Sequence, residues 1–331
     1  MLDTSTKYLG LDLKNPLVAA SSPLTGNLED AKRLEDAGVS AIVLPSLFEE
    51  TIQHEQKQLE KYVHSQALGH MEADSYHPVP EDYKNELDNY LGHLQRLKSA
   101  LDIPVIASLN GISNTGWIDY GKEIMQAGAD ALELNVYYVA ANHNQTGEEV
   151  EQRYLDLLRA LRHNINIPVT MKLSSQFSSV ANIVKQLQTE GADGVVLFNR
   201  FYQPDIDLDT LELKPQLELS SPTEALLRIR WIALLRGRVD ISLAATGGFH
   251  TVESIIKALL AGADAVYLCS VLLSKGPEYC ELLLKQLSDW LIEHEYESIK
   301  QMQGSVSQLC AIDPASYEHS NYIDVIKSYK R

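Results

Sequence analysis

Four octapeptides in this chain vary one theme: AGVSAIVL from Ala37, AGADALEL from Ala127, EGADGVVL from Glu190 and AGADAVYL from Ala261. Each follows a stretch with helical apolar spacing and runs into a short segment of β-prone residues. The glycine ends a helix in the left-handed conformation that other residues adopt only at a cost. The residues after it turn the chain into a buried strand. A second set alternates with the first: IPVIASLNG from Ile103, IPVTMKLSS from Ile167 and VDISLAATGG from Val239. These read as continuous apolar strands covered on both faces, the signature of a parallel sheet.

Eight strands follow from this pattern, at 17–20, 40–44, 104–109, 130–135, 168–173, 193–198, 240–245 and 264–269. Helices fall between them, among them 117–127, 148–162, 177–190, 222–236, 251–261 and 276–294. Strict alternation demands parallel strands, and eight of them close into an α/β barrel of the (β/α)8, or TIM barrel, type. The competing open, doubly wound sheet is disfavoured because no GxGxxG follows the first strand. Two segments exceed what a barrel needs. Residues 48–81 are polar and rich in histidine, and residues 200–220 contain DIDLDTLELKPQLEL, whose alternation predicts a β-hairpin. Both fall on the face where the strands end, and insertions there usually cover an active site. Neither reads as a separate domain, so residues 1–331 are expected to form one.

Composition narrows the partners. The formal charge of -17 repels phosphate backbones and anionic lipid heads, which argues against nucleic acid and membrane partners. Cys269, Cys280 and Cys310 are too few and too widely spaced for a zinc site or a disulfide framework. The N-terminus lacks a basic start followed by an apolar run, and no apolar run approaches the roughly 18 residues of a membrane span. A cytoplasmic location is the expectation.

Barrel enzymes carry their sites at the C-terminal ends of the strands. Here those ends hold Ala20-Ser21-Ser22, Pro45-Ser46, Asn110-Gly111, Asn135, Lys172, Asn199, Thr246-Gly247-Gly248 and Cys269-Ser270. Gly247-Gly248, followed by a helix from His250, lets backbone N–H groups approach a phosphate, and Ser270 adds a hydroxyl. The plainer reading is a tight turn. Lys172 lies inside a strand between Met171 and Leu173. A buried ammonium needs an anion or dipole opposite it, either a ligand or Glu133 on the neighbouring strand. Asn110, Asn135 and Asn199 ring one pocket with amide donors and acceptors, which suits a planar heteroaromatic ligand.

On these residues the chain resembles the dihydroorotate dehydrogenase family, the flavoprotein barrels of pyrimidine synthesis. YLGLDLKNPLVAASSP is similar to the family's N-terminal hairpin and first strand. AGADALELN, VTMKLS, ATGGFHTVESIIKALLAGADAVYLCS and YESIKQMQGSV fall in the family's order and spacing. The resemblance implies FMN across the barrel mouth, its phosphate on Gly247, Gly248, Cys269 and Ser270. It implies Lys172 beside the flavin edge where reduction places negative charge, which a fixed ammonium stabilises. Ala20, Ser21 and Ser46 become flavin contacts at the ends of strands 1 and 2. Asn135 and Asn199 bridge flavin and orotate. Ser221 in LSSP takes the place of a glycine near the ribityl-phosphate tail.

The departures are specific. The family's strand 4 loop reads Asn-x-Ser-Cys-Pro-Asn, or has Ser for Cys, and that Cys or Ser removes the C5 proton of dihydroorotate. Here the stretch is Asn135-Val136-Tyr137-Tyr138-Val139-Ala140, so Tyr138 stands in the base's place. A phenol, with a reference pKa of about 10, is better suited to donating a proton than to removing one. Alternatively the two tyrosines only pack the lid. The family's strand 2 lysine is replaced by Pro45, and its orotate loop has no counterpart beyond Ser75 and Tyr76 in HMEADSYHP.

Three readings follow. The first is an FMN-dependent oxidoreductase that oxidises dihydroorotate or a related cyclic CH–CH substrate by hydride transfer to the flavin. The second is an FMN ene-reductase with Tyr138 as proton donor. The third is a barrel that binds a phosphorylated ligand without catalysis. The sequence offers no cysteine cluster for an iron–sulfur centre, so the electron partner is expected to be soluble. The resemblance also implies a homodimer.

Overall fold

The computed structural model of the chain describes residues 2–55, 57–58, 85–111, 117–318 and 326–328. It opens with β1 (Thr6–Tyr8) and β2 (Leu11–Leu13), an antiparallel hairpin. The strand-helix units follow. The first units contain β3 (Leu17–Ala19), α1 (Leu28–Asp36), β4 (Ala41–Val43), the two-residue β5 (Leu47–Phe48), α2 (Glu86–Ala100) and β6 (Val105–Asn110). Next come α3 (Trp117–Gln126), β7 (Ala131–Asn135), α4 (Gly147–Arg162), β8 (Val169–Leu173), α5 (Val180–Thr189) and β9 (Gly194–Leu197). A small hairpin, β10 (Asp205–Ile206) and β11 (Leu213–Lys214), precedes α6 (Ala225–Leu235), β12 (Ser242–Thr246), α7 (Val252–Ala261) and β13 (Ala265–Leu268). The chain continues through α8 (Ser270–Lys275), α9 (Tyr279–Glu293) and α10 (Ile299–Met302). Strands β3, β4, β6, β7, β8, β9, β12 and β13 pair in parallel, and the β4–β6 pairing closes them into the expected (β/α)8 barrel.

The repeated Gly-Ala-Asp has a role beyond the turn. In three repeats the aspartate accepts the N–H of a residue at the start of the neighbouring strand. Asp130 takes Val105 at 2.7 Å, Asp193 takes Val169 at 2.8 Å and Asp264 takes Leu243 at 2.8 Å. In the first repeat Ser40 replaces the aspartate, and its hydroxyl donates to the Leu17 carbonyl at 2.7 Å. Each repeat therefore ends a helix, turns, and ties two strands together at their N-terminal ends.

Several boundaries differ from the sequence expectation. The helix expected over 276–294 is observed as α9 over Tyr279–Glu293, starting later because Gly276 takes a φ of +89° and Pro277 follows it, and the short α8 before Gly276 was not expected. The helix expected from 222 starts as a 3-10 turn over Pro222–Glu224. The helix expected from His250 begins at Val252. The hairpin expected over 200–220 pairs only two residues on each side, and its apolar side chains Leu208, Leu211 and Leu213 are exposed. The insertion at 48–81 lies largely outside the described residues, and so do Ser75 and Tyr76.

The barrel interior is lined by small side chains, including Ala20, Ala41, Ala131, Ala244 and Ala265. The space they leave takes two tyrosines. Tyr8, from the N-terminal hairpin, reaches up the barrel; its hydroxyl lies 3.0 Å from that of Tyr267 and donates to Thr170 Oγ1 at 3.4 Å. The hairpin seats at the strands' N-terminal ends, where the Leu9 N–H donates to Ser242 Oγ at 2.9 Å. Gly194 leaves room there, because a Cβ would come within 2.6 Å of Leu9 Cδ2 and 3.0 Å of the Ser242 carbonyl oxygen.

Burial raises the pKa of the Tyr8, Tyr90 and Tyr267 phenols above their ordinary value, and pushes Tyr154 up to about 12. The unfolded chain ionises these phenols near pH 10, whereas the folded chain keeps them protonated. Above about pH 10 the folded state therefore holds more protons, and stability falls as pH rises. Thermal melts from pH 7 to 11 should show a steep drop in Tm beyond pH 10, and Tyr8→Phe should make that drop shallower.

Candidate active site

One cavity opens at the C-terminal ends of β3, β8, β9, β12 and β13, with about 900 Å³ of atom-free space including its mouth.

At one end the chain turns through Gly247 and Gly248, with φ of +91° and +90°. A side chain at Gly248 would strike the Ala225 backbone nitrogen at 2.4 Å. The Gly248 N–H donates to Ser220 Oγ at 3.2 Å, and that hydroxyl also lies 2.9 Å from Ser270 Oγ and 3.1 Å from His250 Nε2. Behind the turn lies the buried Arg228, which donates to the Thr246 carbonyl at 3.0 Å and the Glu224 carbonyl at 3.0 Å. Burial lowers the Arg228 pKa, and Glu224 opposes the shift. This end concentrates hydroxyls, an imidazole and a fixed cation.

At the other end is Lys172. Its side chain lines the cavity and is nearly buried, and its Nζ donates to Glu133 Oε1 at 3.3 Å. The lysine lines the cavity and is paired with Glu133, the partner that the plainer sequence reading gave it. An ammonium has three donors, so two remain for a ligand. Cys269 lines the same wall, with Sγ 3.9 Å from the Ser21 carbonyl. Burial raises its thiol pKa, and Lys172 offsets part of the rise.

The structure brings most of the sequence candidates together. Ala20, Ser21, Lys172, Asn199, Gly247, Gly248, Cys269 and Ser270 all line the cavity. Asn135 and Ser46 reach it through Asn199: Asn199 Nδ2 donates to Asn135 Oδ1 at 2.6 Å, and Asn135 Nδ2 donates to Ser46 Oγ at 3.3 Å. Ser46 Oγ lies 2.8 Å from Ser108 Oγ. Ser221 is displaced from its expected place. It is exposed, with its hydroxyl 2.8 Å from Thr223 Oγ1, and Ser220 occupies the cavity instead. In LSSP both serines precede a proline, so nothing in the sequence favoured the first over the second. Arg228 was also missed, since a lone arginine within a helix pattern resembles a surface cation.

The two loop tyrosines divide. Tyr138 Oη and the Gln145 side-chain amide are 2.6 Å apart, and the Arg153 guanidinium stacks over the Tyr138 ring at 4.8 Å. Among the described residues Tyr138 does not line the cavity. Tyr137 turns toward the mouth. Its ring packs on Phe201 at 4.4 Å, and its hydroxyl accepts the N–H of Tyr202, which does line the cavity.

Among the described residues no cluster of His, Cys, Asp and Glu could hold a metal ion, and no helix is long and apolar enough to cross a membrane. A sequence model of the family described as dihydroorotate dehydrogenase matches residues 3–291. The chain is 25% identical over 322 residues to the catalytic subunit of dihydroorotate dehydrogenase B (NAD(+)) of Thermoplasma acidophilum, covering 92% of this chain and 99% of that protein. It is 30% identical over 220 residues to the protein of the same name from Bacillus cereus, covering 63% and 69%. The counterpart from Listeria monocytogenes is 27% identical over 227 residues, covering 66% and 73%.

Proposed function

Because the chain belongs to the dihydroorotate dehydrogenase family, we propose that this oxidoreductase uses FMN and acts on the CH–CH bond of dihydroorotate or a related cyclic compound. The observation that carries the reading is the polarity of one cavity. Ser220, Ser270, His250 and the Gly247-Gly248 turn face it at one end, and the paired Lys172 faces it at the other.

These residues fit the cofactor. A Cβ at Gly248 would meet backbone, so the turn is kept bare, and the hydroxyls beside it can rotate toward a phosphate. FMN bound here would supply the two-electron acceptor for the substrate's CH–CH bond. Lys172 holds a positive charge at the far end, where an acceptor ring gains electron density. Asn199, oriented by Asn135 and Ser46, presents an amide edge to the cavity. The Tyr137–Phe201 contact holds the loop after β7 against the 200–219 segment and narrows the mouth. The remaining electron partner is proposed to be a soluble molecule or protein, and the protein is proposed to be a homodimer.

The test is spectroscopic. Purified protein mixed with FMN and passed through gel filtration should retain flavin absorbance. Adding dihydroorotate anaerobically should then bleach it. A protein that stays colourless would reduce the reading to a barrel that binds a phosphorylated ligand. Flavin that is retained but not bleached would remove dihydroorotate and leave the cofactor in place.

Two variants refine this. Ser220→Ala should weaken FMN binding about tenfold, the equivalent of one hydrogen bond to a charged group, and should affect riboflavin far less. Unchanged FMN affinity would move the phosphate elsewhere. Tyr138→Phe should retain at least about a third of wild-type turnover, because the Tyr138 hydroxyl is engaged with Gln145 rather than the cavity. A fall of about 10²–10⁴ with FMN still bound would instead make Tyr138 the proton carrier.

A further inference from the structure

Glu133 has no exposed surface. It points into the barrel from the middle of β7, opposite Ser108 on β6 and Thr170 on β8. Its Oε1 accepts from Lys172 at 3.3 Å, and its Oε2 has no hydrogen-bond partner among the described residues. Buried carboxylates are ordinarily satisfied at both oxygens. This one sits beneath a ligand cavity and leans on the cation that lines it. We infer that Glu133 is a positioning residue that offsets the charge of Lys172 and so lowers the reduction potential of the bound flavin. The inference rests on the FMN reading given above.

The geometry gives the sign. Charge-assisted N–H···O contacts usually close to about 2.7–2.9 Å, so at 3.3 Å the ammonium is held but not fully captured by the carboxylate. With Glu133 ionised on one side and the cavity on the other, a ligand faces a pair that is neutral overall. A neutral pair stabilises added negative charge less than a free ammonium does. The buried surroundings keep water from screening either charge. The Tyr8, Tyr90 and Tyr267 phenols around it register the carboxylate's charge, which adds to the burial that raises their pKa values. Replacing Glu133 by glutamine removes the opposing charge and leaves Lys172 to the ligand. The reduced flavin gains from this, and the oxidised flavin gains little.

A purely structural salt bridge would show only in stability. The discriminating measurement is the midpoint potential of the FMN-loaded protein, equilibrated against a reference dye. Glu133→Gln should favour reduced over oxidised flavin about tenfold more than wild type does. For a two-electron couple that is a shift of about 30 mV to more positive potential. In a Lys172→Met background the same replacement should shift the ratio less than about twofold. An unchanged potential in Glu133→Gln with FMN bound as in wild type overturns the inference. So does a full shift that persists without Lys172, since the carboxylate would then act on the flavin directly. If Glu133→Gln does not fold, Glu133→Asp is measured instead. It draws the charge back from Lys172 and should shift the potential the same way by a smaller factor; no shift overturns the inference. Wild-type protein that binds no FMN overturns this inference and the cofactor reading together, whereas bound FMN with an unmoved potential overturns this one alone.

Discussion

Replacing Lys172 with methionine should slow flavin reduction by about 10²–10³-fold, the usual effect of removing one fixed group that stabilises developing charge. It should also remove about 3–5 kcal/mol of stability. The second effect comes from Glu133, which has no exposed surface and accepts a hydrogen bond from Lys172 alone among the described residues. Taking the cation away leaves a buried charge without a counterion, which is far costlier than never having had the pair. The two effects separate in the double variant Lys172→Met with Glu133→Gln. Its denaturation midpoint should return most of the way to wild type, because neither charge remains, while the rate stays low. Rapid-mixing measurements of flavin bleaching and urea denaturation give the two readouts. A single variant with the wild-type urea midpoint would mean that Glu133 is not ionised in the folded protein.

Gly248→Ala should be the most damaging single change at the phosphate end. The added Cβ would lie 2.4 Å from the Ala225 nitrogen and 3.0 Å from the Ser221 carbonyl oxygen, both backbone atoms that cannot swing aside. The φ of +90° adds left-handed strain of about 1–2 kcal/mol, and forced repacking adds about 1–3 kcal/mol. The total is about 2–5 kcal/mol, and the start of α6 has to move to relieve it. FMN affinity should fall more than about a hundredfold. Gly247→Ala is the internal control. Its φ is similar, but its Cβ would meet the Arg228 side chain at 3.1 Å rather than backbone at 2.4 Å, a milder contact. Equal losses in the two variants, read by melting temperature and FMN titration, would show that backbone angle alone governs the turn.

The fold was legible because the repeated Gly-Ala-Asp marks a helix end and a strand start together. The strand at 130–135 and the helix at 148–162 were each placed to within one residue of the observed elements. What the repeat could not disclose is that Asp130, Asp193 and Asp264 reach sideways to a neighbouring strand, since strand neighbours exist only after closure. At the site, Lys172 and Gly247-Gly248 were legible because a lysine inside an apolar strand and paired glycines after one are physically unusual. Ser220 and Ser221 were not separable, because a shift of one residue in an irregular segment changes which side chain faces the cavity. The direction of the Tyr138 side chain was not legible for a related reason. Position relative to Asn135 fixes where a loop residue sits along the chain, but the Gln145 and Arg153 contacts decide where its side chain points.

The N-terminal hairpin carries a consequence for how the molecule comes into being. Tyr8 meets Tyr267 across 259 positions, and Thr6 Oγ1 donates to the Asp264 carbonyl across 258. At synthesis rates of roughly 5–20 residues per second, the hairpin emerges roughly 13–50 s before the strand that receives it. Until then its tyrosine and leucines have no barrel to enter, and the alanine-lined interior has nothing to fill it. Contacts of such long range also slow refolding of the complete chain. The first residues made are therefore among the last to be seated. Deleting residues 1–13 should leave a collapsed chain that forms much of its helix but does not lock, with the unfilled interior taking up an apolar dye.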